Sequence, residues 1–466
     1  MDIGYVISDS NTKDFSFVIE GEVKVGDYVE TEEGVLGRVG EITIKSEHLS
    51  DELALSLGEE LFNHYPIKDG LVRIAQVDII GRYDGEYERT LVPPEPGSKV
   101  RKASMEKIKE LLEVLPGEHT IHVGNLRGYK EDVYLNVEKL IGKHLSILAM
   151  SGAGKSNFVS VMVDELMQRG NEFPIVILDI HGEYAGLEKK YPTRVIKYTD
   201  KDIKLSFDEI ESAIVRDLYN ITEQLELYLD IVIERLREQG RLTLENLMEE
   251  VSQIKKGQVA KGLLWRLRKL QRQGIFQERA YPALEDIQPG NLILVDFSEV
   301  YNPRKLSILG YVLLKRLFDA RRRGRIPPLI VVVEEAHNLA PERTEARLSR
   351  QMLERIAREG RKFGVFLVVV SQRPAYLSQT LLAQMNVQVT LRITNPHDLQ
   401  YISQSSEHIS STALKEIPSL LPGEAILTGY ARFPLYIKTK RRDRIIEEVK
   451  NKSPYEMLEE WQNLPY

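Results

Sequence analysis

A chain of 466 residues has room for roughly three domains of about 150 residues each. Its 42% hydrophobic and 29% charged content describe a soluble globular protein, and apolar runs such as residues 329–333 and 365–370 are strand-sized, far short of the roughly 20 residues a membrane-spanning helix needs. A net charge of -7 excludes a polycation that coats nucleic acid over its whole surface, and the lack of cysteine excludes disulfides and thiolate metal sites.

Residues 1–97 read as a small β-barrel domain. Val23-Lys-Val-Gly-Asp-Tyr-Val29 and Val35-Leu-Gly-Arg-Val39 alternate apolar and polar side chains, with turn signals at Gly21, Gly26, Gly34 and Gly37. Short, glycine-punctuated strands favour a barrel. A helical interruption is expected over 47–62, with strand character resuming at 79–83. Pro93-Pro-Glu-Pro-Gly97 can continue neither helix nor strand and marks the boundary. No cluster of catalytic residue types falls here, so the expected role is docking or assembly. The opening Met-Asp-Ile-Gly-Tyr lacks the basic and apolar regions of a signal peptide, which makes the cytoplasm the expected location.

Residues 98–119 form a linker with a basic amphipathic helix near 105–114. The first part of an α/β core, 120–204, then leads into Leu145-Ser-Ile-Leu-Ala-Met-Ser-Gly-Ala-Gly-Lys155-Ser156-Asn157, an apolar strand breaking into a small-residue loop that ends in Lys-Ser. This is the form of a phosphate loop. Gly152, Ala153 and Gly154 would turn backbone N–H groups toward a triphosphate, and the following helix adds its positive end. Lys155 would reach the β- and γ-phosphates of ATP and the Ser156 hydroxyl would meet Mg2+, with Asn157 counted among the nucleotide-binding residues. The full pattern G-x-x-x-x-G-K-[ST] places its first glycine at 149, where this chain has Ala149. The helix is expected over 155–169, stopped by Gly170.

Ile175-Val-Ile-Leu-Asp179-Ile-His181-Gly182-Glu183-Tyr184 reads as a buried parallel strand delivering polar residues at its carboxyl end, where open α/β sheets bind ligands. Asp179 alone would pass for a strand-capping acid; Asp179, His181 and Glu183 together point to the nucleotide. Residues 205–285 read as a helical insertion opened by a capping-box-like Ser206-Phe-Asp-Glu209. Its apolar residues Leu225, Leu227, Leu229, Ile231, Ile233 and Leu236 hold no single period. The core resumes over 286–440 with a strand at 291–296 and a crossover helix at 306–321.

Leu329-Ile-Val-Val-Val-Glu334-Glu335-Ala336-His337 matches the acidic strand that accompanies phosphate loops. The first acid, Glu334 in place of the more usual Asp, would orient Mg2+ through its water shell, and Glu335 would polarise the water attacking the γ-phosphate. Val365-Phe-Leu-Val-Val-Val-Ser371-Gln372-Arg373-Pro374 supplies a polar tip in which Gln372 suits contact with the γ-phosphate and that water. Upstream, Ala357-Arg358-Glu-Gly-Arg361-Lys-Phe-Gly364 offers arginines suited to bidentate phosphate contact across a subunit boundary, or to a solvated helix end. A strand at 387–393, a turn at Asn395-Pro396 and a strand pair around 425–438 complete the core, and 441–466 form a charged tail expected to lie on another surface. Three basic runs remain, residues 321–325, the face carrying Lys261, Arg266, Arg268, Lys269 and Arg272, and residues 438–442. Each reads first as a solvated face.

With these landmarks in order, the chain resembles the HerA family of archaeal DNA-translocating ATPases, related to FtsK-type pumps. The resemblance rests on the N-terminal barrel, Gly142-Lys143-His-Leu145, Asp179-Ile-His-Gly-Glu-Tyr184, Glu334-Glu-Ala-His337, Gly360-Arg-Lys-Phe-Gly364 and Ser371-Gln-Arg-Pro374. Lys143 stands where the family commonly has Arg. The resemblance implies a RecA-like P-loop ATPase core, a homo-hexameric ring with ATP and Mg2+ between subunits, and duplex DNA through the centre. It also implies a NurA-type nuclease docked on the barrel side, the pair acting in DNA end resection and repair. Catalysis would rest on Lys155, Glu335, Gln372 and, as the finger from the next subunit, Arg361; Lys143 joins the nucleotide-binding residues, and Ser156 and Glu334 the metal. Two other readings stay open at the level of sequence: a ring ATPase acting on protein or single-stranded nucleic acid, and a nucleotide-gated assembly scaffold.

Overall fold

The computed structural model describes residues 1–46, 71–83, 87–168, 173–253, 257–343, 347–405 and 409–447. The helix expected at 47–62, the stop at Gly170 and most of the tail lie outside them.

Among the described residues, β1 (Asp2–Ser10), β2 (Asp14–Ile19), β3 (Tyr28–Thr31), β4 (Val35–Ser46), β5 (Leu71–Tyr83), β6 (Tyr87–Glu88) and β7 (Lys99–Lys102) form one antiparallel sheet. The order β2-β1-β7-β3-β4-β5 closes into a barrel because β5 pairs back onto β2. Phe15, Phe17, Val29, Val39, Val77 and Val100 fill its interior. Two details depart from the sequence reading. The alternating stretch at 23–29 yields a strand only from Tyr28, because Gly26 takes φ +94° and turns its N–H to the Val39 carbonyl at 2.8 Å. The strand between β1 and β3 lies beyond the Pro93–Gly97 stretch, so the barrel extends past residue 97; Val100 is needed to fill its core.

The main sheet contains β8 (Thr120–Leu126), β9 (Asp132–Asn136), β10 (Leu145–Leu148), β11 (Ile175–Asp179) and β12 (Val195–Thr199). Between β12 and the rest, β13 (Leu205–Ser206) and β14 (Phe276–Gln277) pair separately as a small parallel ladder. The main sheet continues with β15 (Leu292–Asp296), β16 (Leu329–Val333), β17 (Val365–Ser371), β18 (Val387–Thr390), β19 (Glu424–Thr428) and β20 (Leu435–Thr439), in the order β12-β15-β11-β16-β17-β10-β18-β19-β20-β8-β9. Strands from β12 to β18 are parallel and the remainder antiparallel. Helices cover both faces, which is why the central strands read as unbroken apolar runs. Along β16, Leu329, Val331 and Val333 enter one core layer and Ile330 and Val332 the other.

The insertion folds as helices Ser212–Tyr219, Glu223–Glu238, Leu244–Ser252 and Gly257–Arg272. Within Glu223–Glu238 the buried set is Leu229, Val232, Ile233 and Leu236, a helical stripe, whereas Leu227 and Ile231 are exposed. The missing period in the sequence comes from those outward residues and from each helix burying a different face. Ser206 and Glu209 do pair, the carboxylate accepting from the Ser206 N–H at 2.7 Å, but they open a single 3-10 turn rather than an α-helix. Among the described residues no helix is long and apolar enough to cross a membrane.

Barrel and core are joined by buried charge. The Arg38 guanidinium donates to both oxygens of Glu416 at 2.6 and 3.2 Å and lies 3.5 Å from the centroid of the Tyr436 ring. Arg127 donates to Glu416 at 2.7 Å and pairs with Glu424 at 3.4 Å.

Candidate active site

The loop between β10 and helix Lys155–Gln168 sits at the carboxyl edge of the parallel strands, beside β17. Gly152 and Gly154 take φ +75° and +108°, conformations that favour glycine and let N–H groups turn inward. A Cβ on Gly154 would also come within 3.2 Å of the Gly423 backbone, and Gly423 N–H donates to the Ala153 carbonyl at 2.8 Å. Ala149 is fully buried and is not among the residues with positive φ, so its backbone does not demand glycine. This accounts for the departure from the full motif.

Lys155, itself buried, points its ammonium between the two acids at the end of β16. It hydrogen-bonds Glu335 Oε1 and forms an ion pair with Glu334 Oε1 at 2.5 Å. Glu334 is completely buried, and its other oxygen accepts a 2.9 Å hydrogen bond from the Tyr184 hydroxyl, also completely buried. Burial pushes the Glu334 carboxyl up to about 7, against the pull of Lys155 and with help from the neighbouring Glu335 and Glu183. Glu335 goes the other way. Burial opposes its charge, but Lys155, His337 and the Gln372 N–H hold it below the usual carboxylate range. Two adjacent acids with their proton affinities driven apart suit different roles.

Glu335 adopts φ 44°, ψ 47°, a left-handed conformation that is strained for a side chain of this size. The strain aims its Oε2 at the tip of β17, where it accepts from the Gln372 N–H at 3.2 Å and lies 3.3 Å from His337 Nδ1. His337 Nδ1 is also 3.2 Å from Ser371 Oγ. The half-buried Gln372 thus follows directly after the strand residue whose carbonyl accepts from Ala149 N–H.

Of the Asp179 cluster, Glu183 hydrogen-bonds the Ser156 hydroxyl and the exposed His181 lies close enough to bear electrostatically on His337. Asp179 has another task. Its carboxylate accepts from the N–H groups of His181, Gly182, Glu183 and Tyr184 at 2.8 to 3.2 Å, fixing the turn that carries them. Asn157 likewise faces away from the loop, donating to the Lys440 carbonyl at 2.9 Å and accepting from Arg442 N–H at 2.9 Å.

Lys143 and Arg361 are not brought to the loop. Both are exposed and lie before the first residues of β10 and β17, at the amino edge of the sheet, a strand length of roughly 20 Å from Gln372. Arg361 there bears on the buried His144, whose Nδ1 accepts from Leu367 N–H at 3.0 Å. Tyr184 and His337 enter the site without having been singled out; the only signal was their place inside the Asp179–Tyr184 and Glu334–His337 runs.

The donors fit a hard divalent cation. Ser156 Oγ, Glu183 and Glu334 are oxygen donors beside the phosphate loop, with Glu334 Oε1 paired to the Lys155 ammonium. Among the described residues no three His, Asp or Glu side chains group as a metal site; Mg2+ is commonly held by one or two carboxylates together with water and phosphate oxygens. A cavity of about 780 Å³ lies elsewhere, between the insertion and helix Pro303–Arg322, where Arg316 is already held by Glu209.

Residues 121–317 match the family Helicase HerA, central domain, and residues 3–85 match the HAS barrel domain. A DNA double-strand break repair helicase HerA of Sulfolobus acidocaldarius is 28% identical over 99% of this chain and 97% of its own length. Its counterpart from Pyrococcus furiosus is 28% identical over 92% and 90%. Among solved structures, VirB4 of Thermoanaerobacter pseudethanolicus superposes with a TM-score of 0.58 at 18% identity, covering 74% of this chain and 99% of that one. The plasmid coupling protein TrwB, solved with a non-hydrolysable ATP analogue, gives 0.51 at 16% identity over 73% and 93%. These two share the P-loop ATPase fold of the core. Both family matches fall on the domains the structure shows, and with relatives aligned along nearly the full length the chain is similar to HerA helicases from the barrel through the core.

Proposed function

We propose that this protein is an ATP-driven DNA-translocating ATPase of the repair-helicase type, working as a homo-hexameric ring on duplex DNA in the cytoplasm. A NurA-type nuclease docks on the barrel side, and the pair acts in end resection. The reading is carried by Lys155, which bridges the acidic pair at the end of β16 from the first turn of the helix behind the phosphate loop. When ATP enters, Lys155 exchanges the two carboxylates for the β- and γ-phosphates. Glu335, freed of Lys155 but still held by Gln372 N–H and facing His337, is left ionised beside the γ-phosphate to orient and deprotonate a water. Ser156, Glu183 and Glu334 would hold Mg2+, which when bound neutralises developing phosphate charge. Arg361 and Lys143, a strand length from their own loop, are available to a neighbour's nucleotide, which supports a ring with shared sites.

The test is ATP hydrolysis with and without duplex DNA. Lys155→Ala and Glu335→Ala are expected to lose turnover by at least about 100-fold, and duplex DNA to raise the turnover of the unaltered protein. Wild-type hydrolysis in both variants would sink the reading, and stimulation by single strands alone would redirect it to a different cargo.

A further inference from the structure

Helix Gly257–Arg272 carries no Asp or Glu, although the chain as a whole has a net charge of -7. Leu263, Leu267 and Leu270 are buried against the rest of the insertion, and this turns Lys261, Trp265, Arg268 and Arg272 outward. Their spacing of four, three and four residues aligns them along one helical line about 17 Å long. Lys269 flanks the line, its ammonium 5.3 Å from the centroid of the Trp265 ring. Trp265 itself is 61% exposed, unusual for the largest apolar side chain.

Two other cations of the insertion are matched to acids, Arg216 to Glu226 and Arg235 to Glu250. Among the described residues, Lys261, Arg268, Lys269 and Arg272 form no salt bridge. A straight, unneutralised row of cations with an exposed indole is complementary to a rigid polyanion, and about 17 Å of duplex presents roughly ten phosphate charges. We propose that this face of the insertion is a contact surface for the phosphodiester backbone of duplex DNA, separate from the nucleotide site. It rests on the DNA-translocase reading above and names where the insertion touches the DNA. The cations lie along the phosphates and Trp265 packs on deoxyribose.

The experiment measures duplex affinity of the full chain across a salt series, for the unaltered protein and for a variant with Lys261→Gln, Arg268→Gln, Lys269→Gln and Arg272→Gln. The variant is expected to bind at least about tenfold more weakly at low salt, with the slope of log affinity against log salt reduced by about three to four, near 0.9 per lost phosphate contact. Trp265→Ala should weaken binding without changing the slope, since it releases no counterion. In a Trp461→Phe background Trp265 is the remaining tryptophan, and duplex should change its fluorescence. Equal affinity and slope in the variant overturn this inference while leaving the translocase reading standing. Loss of polyglutamate binding with intact duplex binding overturns it in favour of an acidic protein partner. Failure of the unaltered protein to bind duplex overturns both.

Discussion

The Tyr184 hydroxyl donates a 2.9 Å hydrogen bond to Glu334 inside a region where both side chains are completely buried. The longer Glu in place of Asp is thereby held by a residue three positions beyond His181, at the end of the turn that Asp179 organises. Tyr184→Phe leaves a buried carboxylate oxygen without a donor. It should cost about 1–3 kcal/mol in urea unfolding and slow hydrolysis more than it weakens ATP binding measured by calorimetry. Unchanged stability and turnover would show that Glu334 needs no such support.

Arg361 lies at the amino edge of the sheet, away from its own phosphate loop. Arg361→Ala and Lys155→Ala should each be inactive alone, yet mixed subunits should regain roughly a quarter of wild-type hydrolysis through sites built from two chains. No recovery on mixing, in rings confirmed by light scattering, would remove Arg361 from catalysis in trans.

His144 makes stability depend on acid. Burial, with the Arg361 charge adding to it, lowers its pKa from 6.5 to about 4. The unfolded chain therefore binds the proton more readily between those values, so stability present above pH 6.5 is lost as pH falls through about 4. The contribution lost between pH 7 and pH 5 is about 2 kcal/mol. In His144→Asn, a residue tolerant of the observed φ of 62°, that loss should be missing from denaturant unfolding compared at the two pH values.

Ala149→Gly restores the full phosphate-loop pattern but meets no conformational need. It should leave ATP affinity within roughly twofold and lower stability by about 0.5–1 kcal/mol. A large gain in affinity would mean that the backbone at 149 changes shape on binding nucleotide.

What the sequence made legible was local. The loop at 149–157, the acidic pair after β16 and the tip of β17 each follow a short apolar strand, and a strand followed by polar residues is visible in one dimension. The pairing of Ser156 with Glu183 spans 27 positions and that of Tyr184 with Glu334 spans 150, so neither leaves a periodic trace. Asn157 looked like part of the nucleotide site because it is adjacent in sequence, yet the helix turns it toward residues 440–442. Lys143 sits near the loop in sequence and at the far edge of the sheet in space, because a strand intervenes. β7, the barrel strand between β1 and β3, was hidden behind a proline-rich stretch that breaks structure locally without ending the domain.

The charge cluster between barrel and core has a mechanical meaning. Arg38 from the barrel grips Glu416, Arg127 ties Glu416 to Glu424, and the residue before Glu424 props the Ala153 carbonyl. A buried guanidinium deprived of its counter-charge is costly, so these contacts hold together or fail together. A pull applied to the barrel is passed through a few stiff contacts to the backbone that grips phosphate, and strain at that loop is passed outward along the same route.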